Sequence, residues 1–168
     1  APPVSAGQII IDEFRLRGPM GPADEFIELF NATLNPIIVS ATDASGGWAV
    51  AASDGVARMV IPNGTVIQPH GYFLGANNTP ATGYSYSAYP GGIPDVTWTG
   101  DIADNAGIAL FSSATSFILA KRLDAVGSTV EANATFKEGT GYPAFAAANI
   151  DSSWNRDLRY GIPKNTNS

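Results

Sequence analysis

Residues 9–31, IIIDEFRLRGPMGPADEFIELFN, constrain the fold more than any other stretch of this chain. An apolar-rich run, a Gly/Pro connection and a second apolar run follow one another. Both runs read as strands, and their density of Ile, Phe and Leu exceeds what a half-exposed strand needs, so they are expected to pair in the middle of a sheet. The first spans about Gln8 to Leu16. Alternation puts Ile9, Ile11, Glu13 and Arg15 on one side and Ile10, Asp12, Phe14 and Leu16 on the other. Gly18-Pro19-Met20-Gly21-Pro22 is a turn by composition. On the second strand Ile27 and Leu29 face one way, and Phe26, Glu28 and Phe30 the other. Glu28 then lies between two aromatic rings, where a carboxylate keeps its charge only beside strong donors such as Arg15, Arg122 or Arg156, or backbone N–H groups. Glu28 and Arg15 are accordingly expected to be buried structural polar groups rather than catalytic ones.

The remaining pattern is a series of short strands. Ile37 to Val39, Trp48 to Ala51, Val56 to Ile61, Val66-Ile67, Tyr72 to Gly75, Val96 to Thr99, Gly107 to Phe111 and Phe117 to Asp124 read as strands separated by turn material. Trp48 is a core aromatic in this reading, and Asn63-Gly64 carries the strongest short hairpin signal. His70, the one histidine, falls in a turn and has no second imidazole to share a metal, so a structural or exposed role is expected. Residues 76–95 form the longest stretch without a strand pattern, and they place Tyr84, Tyr86 and Tyr89 among Ser, Gly and Pro. Such a loop is either a lid whose tyrosines pack back on the sandwich or a binding surface built from rigid aromatics and small adaptable residues. Asp101, Asp104 and Asn105, with Asp95 nearby, form a weak candidate Ca²⁺ set, although such residues cap turns at least as often. Past Gly127 the pattern weakens into an irregular segment, with a helical turn at Ala144 to Asn149 as one possibility.

A chain of 168 residues without a long charged or low-complexity run is one domain, here residues 8–168 behind a flexible leader at 1–7. Its 18 Gly and 12 Pro suit many turns between short strands. The net charge of −6, with scattered basic residues, argues against nucleic acid as a partner. The absence of cysteine removes disulfides, thiolate zinc sites and cysteine nucleophiles. No apolar run approaches the roughly 20 residues of a membrane helix, so no membrane insertion is expected. The start at Ala1, polar and Pro-bearing, is what either a mature secreted or cell-envelope protein after signal-peptide removal or a trimmed chain would show, and the family resemblance given below favours the former.

Asp24-Glu25-Phe26-Ile27-Glu28-Leu29-Phe30-Asn31, preceded by an acidic-Phe-Arg strand and a Gly/Pro turn, resembles the opening of a bacterial lamin-tail-like domain. Trp48, Pro69 to Leu74, Asn105 to Phe111 and Phe117 to Gly127 fall where that family places further strands, and Trp154 to Ser168 loosely resembles its closing segment. The resemblance implies an all-β, immunoglobulin-like antiparallel β-sandwich with long loops. No nucleophile elbow, phosphate loop or dinucleotide fingerprint occurs. The neighbouring carboxylates Asp12/Glu13 and Asp24/Glu25 are expected on opposite strand faces, where they cannot share a site. Neither enzyme activity nor a cofactor is therefore expected. The function implied is a non-catalytic extracellular or envelope binding or adhesion module, contacting protein or glycan on a cell surface through Tyr84, Tyr86 and Tyr89. A structural spacer and an accessory domain of a secreted hydrolase are the alternatives. The Asn-x-Thr matches at Asn31, Asn63, Asn77 and Asn133 are read as turn chemistry rather than glycosylation sites.

Overall fold

Strands β1 (Ile9–Arg15) and β2 (Phe26–Asn31) pair antiparallel inside the larger of two facing sheets in the computed structural model, which describes residues 3–157. β7 (Tyr72–Asn77) and β8 (Val96–Trp98) extend this sheet beyond β2, and β11 (Trp154–Asn155) adds to β1, giving the order β11-β1-β2-β7-β8. β8 runs parallel to β7, and the other strand pairs are antiparallel. The second sheet has the order β10 (Arg122–Gly127), β9 (Gly107–Phe111), β4 (Gly47–Ala52), β5 (Ala57–Pro62). A two-stranded ribbon of β3 (Ile37–Ile38) and β6 (Val66–Ile67) completes an all-β sandwich.

The inner faces explain the apolar pattern. Ile9, Ile11, Phe14, Leu16, Ile27, Leu29 and Phe73 from one sheet meet Trp48, Val50, Met59, Ile61, Ile108 and Leu110 from the other, all buried. Trp48 lies in this layer and its indole N–H donates to Ser40 O at 2.8 Å, which satisfies the one polar atom it buries. β9 is buried along its whole length because a second apolar cluster covers the outer side of its sheet. There Phe111 and Phe136 meet edge to face at 5.6 Å over Ala51, Ala109 and Ala125, with Phe117 alongside. Phe136 comes from a 3₁₀ turn, Ala134–Phe136, capped by the Asn133 side chain.

Several expectations need correction. Strict alternation along β1 fails because a bulge between Ile11 and Glu13 sets two residues, Asp12 and Glu13, against Glu28. Phe14 and Leu16 thereby join Ile9 and Ile11 in the core, and Arg15 turns away from it. Phe117 to Asp124 is not one strand: a 3₁₀ turn, Leu119–Lys121, precedes β10. Asn63-Gly64 does turn the chain, with Gly64 at φ 87°, but β5 and β6 on its two sides belong to different sheets, so no hairpin forms. Ala144 to Asn149, by contrast, is irregular as expected of this segment, and the helical turn does not form. Trp154-Asn155 is an unforeseen edge strand, while the rest of the tail, from residue 158, lies outside the described residues, as do the first two residues of the leader. No helix among the described residues is long and apolar enough to cross a membrane.

Candidate functional site

The turn between β1 and β2 is closed by paired backbone bonds, Gly18 N to Gly21 O at 3.1 Å and Gly21 N to Gly18 O at 3.0 Å. Inside it lies a fully buried ion pair. The Arg15 guanidinium donates to the Asp24 carboxylate and, through Nε, to Asp24 O at 3.0 Å. Met20 N and Ser85 N donate to the two Asp24 oxygens at 3.0 and 2.9 Å. A Cβ on Gly18 would lie 2.6 Å from Asp24 Oδ2 and 2.7 Å from Arg15 Cζ, so only glycine lets the turn close over the pair.

This pair is the base on which the long loop rests. Arg15 reaches Ser85 Oγ at 3.1 Å and stacks under the Tyr86 ring at 4.5 Å. Tyr86 donates its hydroxyl to Asp151, which also accepts from Arg15 at 3.2 Å. Asp151 is the main cause that raises the Tyr86 hydroxyl above its ordinary range. Tyr84 covers the outer face of the larger sheet, edge to face with Phe26 at 5.7 Å over Leu74 and Ala76. The rings then continue outward, Tyr84 to Tyr86 at 5.9 Å and Tyr86 to Tyr89 at 5.6 Å. The three sequence-selected tyrosines thus form one stack with graded roles. Tyr84 and Tyr86 are packed, whereas Tyr89 is 63% exposed and Ile93 beyond it 77% exposed. Ile93 was not singled out from sequence.

Glu28 differs from expectation. Arg15, Arg122 and Arg156 pair with Asp24, Glu138 and Asp124, and no ion pair to Glu28 forms among the described residues. Instead Glu28 is half-buried directly opposite Glu13, with Asp12 beside it in the bulge. Burial first, and then the charges of Glu13 and Asp12, push its carboxyl up to about 7. The bulge also corrects the face assignment for Asp12 and Glu13, since residues opposing one partner across a bulge share a side.

Glu25, weighed in the sequence only as the neighbour of Asp24, is the most strongly raised carboxylate. It is fully buried, accepting from Asn77 Nδ2 at 2.8 Å and Ile102 N at 2.6 Å, and desolvation pushes it up to about 8. It ties the end of β7 to the 99–106 turn. The calcium candidates do not converge. Asp95 accepts from Leu74 N at 2.8 Å, Asp104 pairs with Arg17 at 2.8 Å, and Asn105 O accepts from Ser128 Oγ at 2.5 Å. Asp101, which is exposed, uses its carbonyl to accept from Arg58 at 2.8 Å. No cluster of three or more His, Cys, Asp or Glu arranged for a metal occurs among the described residues.

The Asn-x-Thr segments do turn work. Asn31 and Asn77, both fully buried, each accept the backbone N–H and hydroxyl of the Thr two residues on, at 2.9 and 2.8 Å and at 3.0 and 2.7 Å. Asn63 and Asn133 likewise spend their side chains on Ala41 N, Ser45 O and Thr135 N. His70 is exposed in its turn at φ 53° and stacks on Phe30 at 6.0 Å.

No family model, curated protein or solved structure matches the chain.

Proposed function

We propose that this protein is a non-catalytic binding or adhesion module of the exported or cell-envelope class, contacting a protein or glycan through the apex of its tyrosine loop. The observation that carries this reading is the contrast within one loop: Tyr89 and Ile93 are 63% and 77% exposed, while the base beneath them is locked by a buried ion pair and a cation–π stack. Exposed apolar side chains on a preordered base lose little entropy on binding. The likeness of residues 24–31 to lamin-tail-like domains supports the same reading, because sandwich loops are where binding groups gather.

The test is co-sedimentation of the purified protein with separated envelope fractions of its source organism, beside a Tyr89→Ser/Ile93→Ser variant. Neither side chain joins a core cluster among the described residues, so the variant is expected to keep its fold. Saturable binding by the wild type that the variant loses supports the proposal. Binding that the variant retains moves the site elsewhere, and binding of neither protein to any fraction favours a structural spacer.

A further inference from the structure

The sandwich has an open seam where β1 and β10 face each other. It is bridged at one level by Asp124, whose carboxylate accepts from Ile11 N at 2.6 Å and from Arg156. Beside this bridge the 138–143 and 154–157 segments border a cleft, open to solvent, of about 380 Å³. That volume suits one small molecule or one side chain. Arg156, held on Asp124, lines part of it, and its remaining walls are of two kinds. Phe14, Tyr142 and Trp154 give an aromatic side: Phe14 and Tyr142 meet at 4.9 Å, and Tyr142 and Trp154 at 6.2 Å, with Trp154 partly exposed at the rim. Tyr142 is held by its hydroxyl on Ala106 O at 2.6 Å and by backbone bonds to Gly127 and Thr129.

The other side is acidic and incomplete. Asp12, 8% exposed, has a buried Oδ1 with no hydrogen-bond partner among the described residues. Glu138 spends Oε1 on Arg122 at 2.9 Å and leaves a buried Oε2 with none among the same residues. Both residues line the cleft. A buried carboxylate oxygen without a donor is costly, and such atoms in a native structure point to a missing partner. An ionised carboxylate only accepts, so the missing partner supplies N–H or O–H. We propose that this cleft binds an organic cation on an apolar stem, an alkylammonium group whose N–H donors meet Asp12 Oδ1 and Glu138 Oε2 while its methylenes lie along Phe14, Tyr142 and Trp154. Aromatic faces favour a cation over an anion. The apolar wall, with Asp12 Oδ1 and Glu138 Oε2 as the unpaired carboxylate oxygens among the described residues, favours an organic over a metal ion. This site is separate from the tyrosine loop and stands whether or not that loop binds.

Such a group arises either in a free amine or in a lysine side chain of a partner. The probes are therefore n-pentylammonium, cadaverine and Nα-acetyl-lysine N-methylamide, with 1-pentanol and glucose as neutral comparisons, titrated into ¹⁵N-labelled protein. The proposal expects saturable shifts at Gly139, Gly141 and Asn155 and not at Tyr89. It expects pentanol to bind about tenfold more weakly than pentylammonium, from loss of the charge-assisted bond. Glu138→Gln, whose amide carbonyl retains the Arg122 bond, is expected to weaken pentylammonium by about tenfold. Trp154→Ala, at the rim, removes the stacking wall without entering the core and is expected to weaken it too. Cadaverine binding with no response to the lysine analogue assigns the site to free amines, and the reverse assigns it to a partner's lysine. Equal binding of pentanol and pentylammonium, tighter binding of glucose, or an unchanged affinity in a folded Glu138→Gln variant would overturn the proposal.

Discussion

Replacing Glu25 with Gln gives a pH-dependent gain in relative stability, and the structure sets its size. Glu25 is fully buried with no cation beside it among the described residues, and desolvation outweighs the bonds from Asn77 and Ile102, so its carboxyl is pushed from 4.5 up to about 8. Between those values the native state holds a proton that the unfolded chain has released. Stability then falls as pH rises, because the native state binds more protons than the unfolded one. At about 1.4 kcal/mol per pH unit, the loss across the interval is roughly 3–5 kcal/mol. A neutral amide at the same place carries no such slope. The assay is urea unfolding followed by the fluorescence of the buried Trp48 and Trp98, on wild type and Glu25→Gln, at several values between pH 4.5 and pH 9. Taking the difference between the two proteins cancels the contributions of Glu28 and Asp124, whose carboxyls are raised to about 7 and about 6. The variant is expected to be equal to or less stable than wild type at the acid end, and to gain on it steadily until about pH 8. Two curves that run parallel across this range would refute the burial account of Glu25.

Other perturbations probe the base of the loop and the strand ends. Arg15→Met leaves the Asp24 carboxylate buried without its cation and is expected to cost about 3–5 kcal/mol in denaturant unfolding. Gly18→Ala forces a methyl against the same pair and is expected to cost about 1–3 kcal/mol, with a lowered midpoint and an unchanged m-value. Asn31→Asp exchanges an amide that donates to Asn35 O, Ile67 O and Gln68 O at 2.8, 3.0 and 3.0 Å for an acceptor-only group. The expected loss is about 2–4 kcal/mol, seen as a fall of roughly 10 °C in thermal midpoint.

The strands were legible where period and composition agreed. The β1–β2 pair, the presence of strand β9 and the core position of Trp48 follow from apolar density, since a strand covered on both faces has to read as a continuous apolar run. The bulge at Asp12 was not legible, because an inserted residue leaves no mark in a two-residue period until its partner strand is known. That one residue decided which side Phe14 and Arg15 face and left Glu28 among carboxylates instead of cations. Asn63-Gly64 misled for a related reason. Local turn chemistry specifies a reversal but not which sheet receives the next strand. At the loop, aromatic residues among Ser, Gly and Pro marked the right segment, but its division into packed Tyr84 and Tyr86 and exposed Tyr89 depends on Arg15, Asp24 and Asp151, which arrive from distant parts of the chain. Nothing in the sequence marked Glu25 or Glu138 as buried, since only the tertiary fold buries them.

The account turns on the tyrosine loop being preordered by the Arg15–Asp24 base, and amide hydrogen exchange of the free protein measures this directly. Gly83 N donates to Thr79 O at 2.8 Å, Tyr84 N to Asn77 O at 2.8 Å, and Ser85 N to Asp24 Oδ1 at 2.9 Å. These three amides are expected to exchange far more slowly than an open chain, and to lose that protection in Arg15→Met while amides of β9 keep theirs. Exchange of Gly83, Tyr84 and Ser85 at open-chain rates in the wild-type protein would contradict the account.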